Sequence, residues 1–139
     1  MATYSGVGRT NTFQVKDVAK LTAALEFTGV EILEREDKGV TLFADPCGDG
    51  DWSIWVFDTE DEDDEGRYLY IPDLIAEHLM PGETVVFEHI GFEKLRYLIG
   101  YSTAVFSDGR QVTVNLCDVY PAAAAAFGID AETITAAAY

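Results

Sequence analysis

The sequence predicts an α+β fold: a mainly antiparallel sheet of about six strands with two or three short helices packed on it. Three observations predict it. Apolar residues recur with period two in several short runs, three pairs of those runs are joined by hairpin-type turns, and only three segments carry helix boundaries. At 139 residues, 48% hydrophobic and 12% aromatic, the chain can bury one real core and reads as a single domain over residues 1–139.

Residues 1–8, with Gly6 and Gly8 among small polar neighbours, read as a loose leader. Thr10 to Lys16 alternates, which predicts a first strand with Phe13 and Val15 on one face. Asp17 is a good N-cap, and Val18, Leu21 and Leu25 have helical spacing, with a stop expected near Thr28-Gly29. Val30–Glu36 and Val40–Ala44 form the next strand pair around an Asp37-Lys38-Gly39 turn.

A wider turn at Asp45–Asp51 leads into Trp52–Phe57, whose aromatic and β-branched residues predict a central strand. The acids that follow form a loop or a poorly paired strand extension, before a short strand at Tyr68–Ile71. Pro72 opens a helix over Asp73–Met80, closed by Pro81-Gly82. Glu83–His89 alternates with Val85 and Phe87 on one side, and Gly91 is expected to start a turn. Lys94–Phe106 is the longest strand-like run, with a bulge or bend expected at Gly100. Ser107-Asp108-Gly109-Arg110 is the clearest hairpin turn, returning through Val112–Leu116. Pro121 starts a helix through the alanines to Phe127-Gly128. Residues 129–139 form an Ala-rich tail, expected to fray, in which Asp130 caps one more turn.

Charge dominates any reading of function. The net charge is −16, and Asp58-Thr59-Glu60-Asp61-Glu62-Asp63-Asp64-Glu65 carries seven carboxylates in eight residues. From Asp45 to Glu77 there are twelve acids against one base, Arg67. Like charges repel, so a fold keeps such a run on a solvated surface, where it repels nucleic acid and anionic membranes and attracts cationic ones. Sixteen charges correspond to about 27 Å of duplex DNA, and a chain of this length folds to roughly 35 Å across, so the charge densities are comparable. The plainer reading is a solvated loop that aids solubility.

Specific chemistry finds little purchase. Asp61, Asp63, Glu65 and Gly66 match the early positions of a calcium loop, but position twelve is Pro72 where a bidentate Glu is needed. Asp45, Asp49 and Asp51 form a second cage that lacks a closing ligand. His78 and His89 lack zinc-ligand spacing and read as a surface histidine and an exposed or sheet-edge one. No Gly-x-Ser-x-Gly elbow is present, and Gly6-Val7-Gly8-Arg9 opens no helix. Lys94 with Arg96 is the one same-face basic pair, explained by cross-strand pairing. Cys47 and Cys117, with no apolar leader and no membrane-length run, read as reduced thiols in a cytoplasmic protein, a long-range disulfide being the alternative. Trp52, Trp55, Tyr68 and Tyr70 suit either a core or a homodimer face.

Two blocks, Thr10-Asn11-Thr12-Phe13-Gln14-Val15-Lys16-Asp17 and Glu93-Lys94-Leu95-Arg96-Tyr97-Leu98-Ile99-Gly100-Tyr101, resemble small acidic proteins carried by phages, plasmids and integrated elements. The resemblance covers about residues 4 to 120 and implies core roles for Phe13, Val15, Leu95 and Tyr97. By charge alone, the chain is similar in kind to the DNA-mimic anti-CRISPR and antirestriction proteins of the same elements.

The expectation is therefore a non-enzymatic binding protein with no cofactor and no metal, which binds neither nucleic acid nor membrane. Its partner is the basic surface of a DNA-binding protein or effector complex of a host defence system. The candidate contact residues are Asp58, Glu60, Asp61, Glu62, Asp63, Asp64 and Glu65, with Asp45, Asp49, Asp51, Asp73 and Glu77. The alternatives are an acidic module for a basic partner unrelated to DNA and, third, a metal-dependent hydrolase using the same acids.

Overall fold

Among the described residues, eight strands, three α-helices and three 3-10 turns build an α+β domain. The computed structural model describes residues 4–36, 39–57, 61–63, 65–94 and 97–137. The elements are β1 (Ser5–Thr10), α1 (Val18–Ala24), β2 (Glu31–Glu34), β3 (Val40–Phe43), β4 (Ser53–Val56), β5 (Arg67–Tyr70), α2 (Ile71–Ile75), β6 (Thr84–Glu93), β7 (Tyr97–Phe106), β8 (Gln111–Asn115) and α3 (Val119–Phe127). Six strands form one antiparallel sheet in the order β2-β3-β1-β6-β7-β8, and β4 pairs with β5 in a separate two-stranded ribbon.

One face of the large sheet carries the core. Val40, Leu42, Val85, Phe87 and Val105 meet Leu21 of α1 and Leu25 just after it, Ile71 and Ile75 of α2, and Trp52, all fully or nearly fully buried. Trp52 sets its indole edge-on to Phe87, with ring centroids 4.9 Å apart, and its Nε1–H donates to the Glu88 carbonyl. Thus the aromatic residue ahead of β4 staples the ribbon to the centre of the sheet.

Several expected elements hold. Asp17 caps α1, accepting from the backbone N–H of Ala19 and Lys20. The β7–β8 hairpin turns at Ser107–Arg110 with Gly109 at φ 95°, and Asp108 pairs with Arg110. α3 ends on Gly128 in the left-handed conformation, and Asp130 caps a 3-10 turn at Ala131–Thr133. The Asp37-Lys38 part of the β2–β3 turn, Leu95 and Arg96 lie outside the described residues.

Others are corrected. Ser5–Gly8 is no leader: it belongs to β1, which lies between β3 and β6 inside the sheet. Gly6 and Gly8 are there for room, since a Cβ on Gly6 would stand 2.4 Å from the Asp49 carbonyl oxygen. Thr10–Lys16 is mostly irregular, held by single bridges from Phe13 to Val40 and Val15 to Leu79; Phe13 is still buried and Val15 still packs on the core. α1 ends at Ala24, a turn early, and Phe27 as well as Gly29 takes a positive φ.

β4 is not a central strand, because the ribbon covers the core with one face and shows the other to solvent. Gly91 starts no turn; it continues β6, opposite Gly6, beneath the Tyr4 ring. Nor is there a bulge at Gly100, which holds register with Ile90 while Leu116 fills the space above it. Tyr97 is exposed, and α3 buries none of its residues, so only α1 and α2 are packed helices.

Candidate functional site

The ribbon is amphipathic by strand alternation. Ile54, Val56 and Leu69 face the core, whereas Trp55 and its direct cross-strand partner Tyr68, together with Phe57, are more than half exposed. Of the four aromatics that suited a core or a dimer face, Trp52 and Tyr70 belong to the core and Trp55 and Tyr68 to the surface.

The acid-rich turn at 45–51 stands at one end of the ribbon. Asp45, Asp49 and Asp51 line a groove of about 280 Å³ together with Trp55 and Thr28. At the other end β4 and β5 part after the Val56–Arg67 pair, and the acidic run forms the connection. Asp61, Glu62, Asp63 and Glu65 are exposed there; Asp58, Glu60 and Asp64 lie outside the described residues. Trp55 links the two ends. Its indole lies over Gly66, where a Cβ would come 2.3 Å from Nε1, and Gly66 can turn back beneath it because its φ is 73°. The sequence of features is therefore three aspartates, an exposed aromatic ladder, then the acidic run.

Several of these carboxylates are pre-oriented by their own backbone. Oδ1 of Asp45, Asp49 and Asp61 each accepts the N–H two residues on, from Cys47, Asp51 and Asp63, the geometry of an Asx turn. Asp51 is committed further. It accepts from the Trp52 backbone N–H at 2.7 Å and from the Tyr101 hydroxyl at 2.5 Å, so it is a structural acid first. Burial, and then the bond to Asp51, push the Tyr101 phenol far above its ordinary pKa. Asp73 and Glu77 are exposed, but their neighbours are elsewhere: Asp73 accepts from Gln111 of β8, and Glu77 sits 3.5 Å from His78.

The turn is clamped to the sheet from below. His89 is buried on β6, not exposed or at an edge, and its Nδ1 lies 2.8 Å from the Gly50 carbonyl. A carbonyl only accepts, so Nδ1 carries the proton, and in the neutral ring Nε2 accepts from the Tyr4 hydroxyl at 2.6 Å. Burial, then the charges of Asp51 and Asp49, raise the Tyr4 pKa. His78 is also less open than a surface histidine, its side chain being 13% exposed with Nε2 buried.

Sequence reasoning left Trp55 and Tyr68 open between core and dimer face, and missed Phe57 as a surface group and His89 as a clamp. One signal was available for the first: Trp52–Phe57 carries large residues on both parities, and a two-stranded flap can bury only one of them. Among the described residues no group of three or more His, Cys, Asp or Glu is placed to hold a metal ion, and no helix is long and apolar enough to cross a membrane. Cys47 and Cys117 are free and exposed. No family model, curated protein or solved structure matches the chain.

Proposed function

We propose that this chain is an acidic decoy that occupies the cationic DNA path of a nucleic-acid-targeting defence system, an anti-CRISPR or antirestriction protein. The observation that supports this reading best is the position of Trp55, which lines the groove of the 45–51 aspartates and lies over Gly66, next to the exposed acids Asp61, Glu62, Asp63 and Glu65. Lys and Arg that normally grip phosphates would find carboxylates, at Asp45, Asp49 and Asp61, that Asx turns already hold in place. Charge-assisted, bidentate Arg pairing and counterion release then favour binding, and the net charge of −16 speeds encounter.

A second reading is an acidic module for a basic protein unrelated to DNA. The exposed Trp55–Tyr68 pair favours it, since a phosphate ladder has no counterpart to aromatic anchors and protein interfaces are enriched in them.

The test is relief of DNA targeting in cells that carry one restriction or CRISPR effector at a time, scored by transformation with a targeted plasmid. Relief is expected with at least one effector; with the purified pair the chain should compete with duplex DNA, and its own affinity for the effector should fall steeply as salt rises. Amide replacement of the seven acids from Asp58 to Glu65 should abolish relief. Full relief by that variant would end the phosphate-mimic reading. Binding to a basic protein that duplex DNA does not displace and that collapses with Trp55→Ala would select the second.

A further inference from the structure

The six-stranded sheet has a second face, and none of the described residues covers it. Register places Val7, Ile90, Leu98, Val112 and Val114 on the side opposite Phe87 and His89, and each is more than half exposed. Leu116 leans over Gly100 on the same side and is equally open. Between them runs a groove of about 590 Å³ whose charged lining side chains are Arg9 and Glu88, directly opposite one another in the β1–β6 ladder.

The same chain holds a second unsatisfied surface. The segment Val-Tyr-Pro-Ala-Ala-Ala-Ala-Ala-Phe of α3 is apolar all round, and none of it is buried. Such a helix in a globular protein is ordinarily a buried one. It follows the edge strand β8 after a single 3-10 turn, Leu116–Asp118, whose first residue lines the groove.

We infer that the open sheet face is covered by the open face and α3 of a second copy of this chain, in a twofold dimer. Three arguments select a second copy. Each chain has both the groove and the apolar helix, with the helix rooted at the groove's rim, so a twofold axis satisfies both at once. The six apolar side chains expose on the order of 600 Å², before α3 is added, against roughly 800 Å² per partner in a stable interface. Charge allows it as well. The acidic turn, the ribbon and α2 all lie on the core side, so pairing open faces turns the acids of both copies outward, and Arg9 and Glu88 are self-complementary. The inference does not rest on the proposed function, and its test uses no target.

Light scattering on the full chain across micromolar to submillimolar concentration should give twice the 15.3 kDa chain mass. Added salt should strengthen the dimer by screening self-repulsion, the reverse of its effect on a cationic target. Ile90→Lys and Val114→Lys, at positions already exposed in the single chain, should each restore the 15.3 kDa species with an unchanged circular-dichroism spectrum. Hydrogen exchange on the unmodified chain gives an independent check, with slower exchange in β8 and α3 as concentration rises. A chain that stays at 15.3 kDa throughout, a doubled mass that survives both lysines, or exchange in β8 and α3 indifferent to concentration would each overturn the inference.

Discussion

In the turn at 45–51, backbone lies directly on backbone: Gly50, with φ at 74°, leaves only 2.6 Å for a Cβ beside the Gly6 carbonyl, and His89, Tyr4 and Tyr101 tie the turn down. In the acidic run, the described acids Asp61, Glu62, Asp63 and Glu65 are exposed beyond the end of a four-residue strand pair, where an indole lies over Gly66. Both segments are acid-rich, yet one is part of the tertiary structure and the other is carried by it. Charge alone does not reveal which acids a fold depends on. What separates them is whether buried neighbours must be left unpaired when the segment is altered.

The largest break in that contrast is expected at the clamp. His89→Leu keeps the volume but strands the Gly50 carbonyl and the Tyr4 hydroxyl, and should cost about 3 kcal/mol in urea unfolding. An effect under about 0.5 kcal/mol, the range of an ordinary surface substitution, would show that the turn does not need it.

Tyr101→Phe is the next in size, about 1.5 kcal/mol, because it removes one hydrogen bond to a charged acceptor while Asp51 keeps the Trp52 N–H. It should also change the alkaline limb. The folded Tyr101 pKa lies above the unfolded one, so its contribution is complete below about pH 10 and is lost as pH rises from there toward the folded value. Stability of the parent should fall above that pH more steeply than that of the phenylalanine variant; parallel profiles would contradict the assignment.

Smallest of all is the effect of the acidic run on folding. Asp61→Asn, Glu62→Gln, Asp63→Asn and Glu65→Gln together should leave the unfolding midpoint unchanged or raise it slightly, through reduced repulsion, within about 0.5 kcal/mol. A loss of several kcal/mol would place the run inside the fold after all.

The sequence made the antiparallel sheet, the Asp17 cap, the Asp108-Gly109 hairpin and the apolar alternation of β6 readable, because each is a local signal with a local cause. It hid β1, since glycines at 6 and 8 serve close approach by a turn some forty residues away, and a lone glycine-rich stretch looks the same whether it is loose or crowded. Asp45 and the described acids of the run were recognisable as surface charge. Asp51 was not separable from them, because its partners Tyr101 and Trp52 come together only through the tertiary fold. His89 was obscured likewise: a histidine in an alternating strand gives no sign of which neighbours its two nitrogens will reach.

The placement of β1 also bears on how the molecule is made. A strand spanning Ser5–Thr10 must wait for Arg9 to meet Phe43 on one flank and for Thr84–Glu93 to arrive on the other. As the chain folds, β1 therefore stays half-paired until a segment some eighty residues further on has joined the sheet. Long-range pairing of this kind slows folding and exposes an open edge to misassociation, so fragments that stop short of β6 should aggregate while those that include it become protease-resistant.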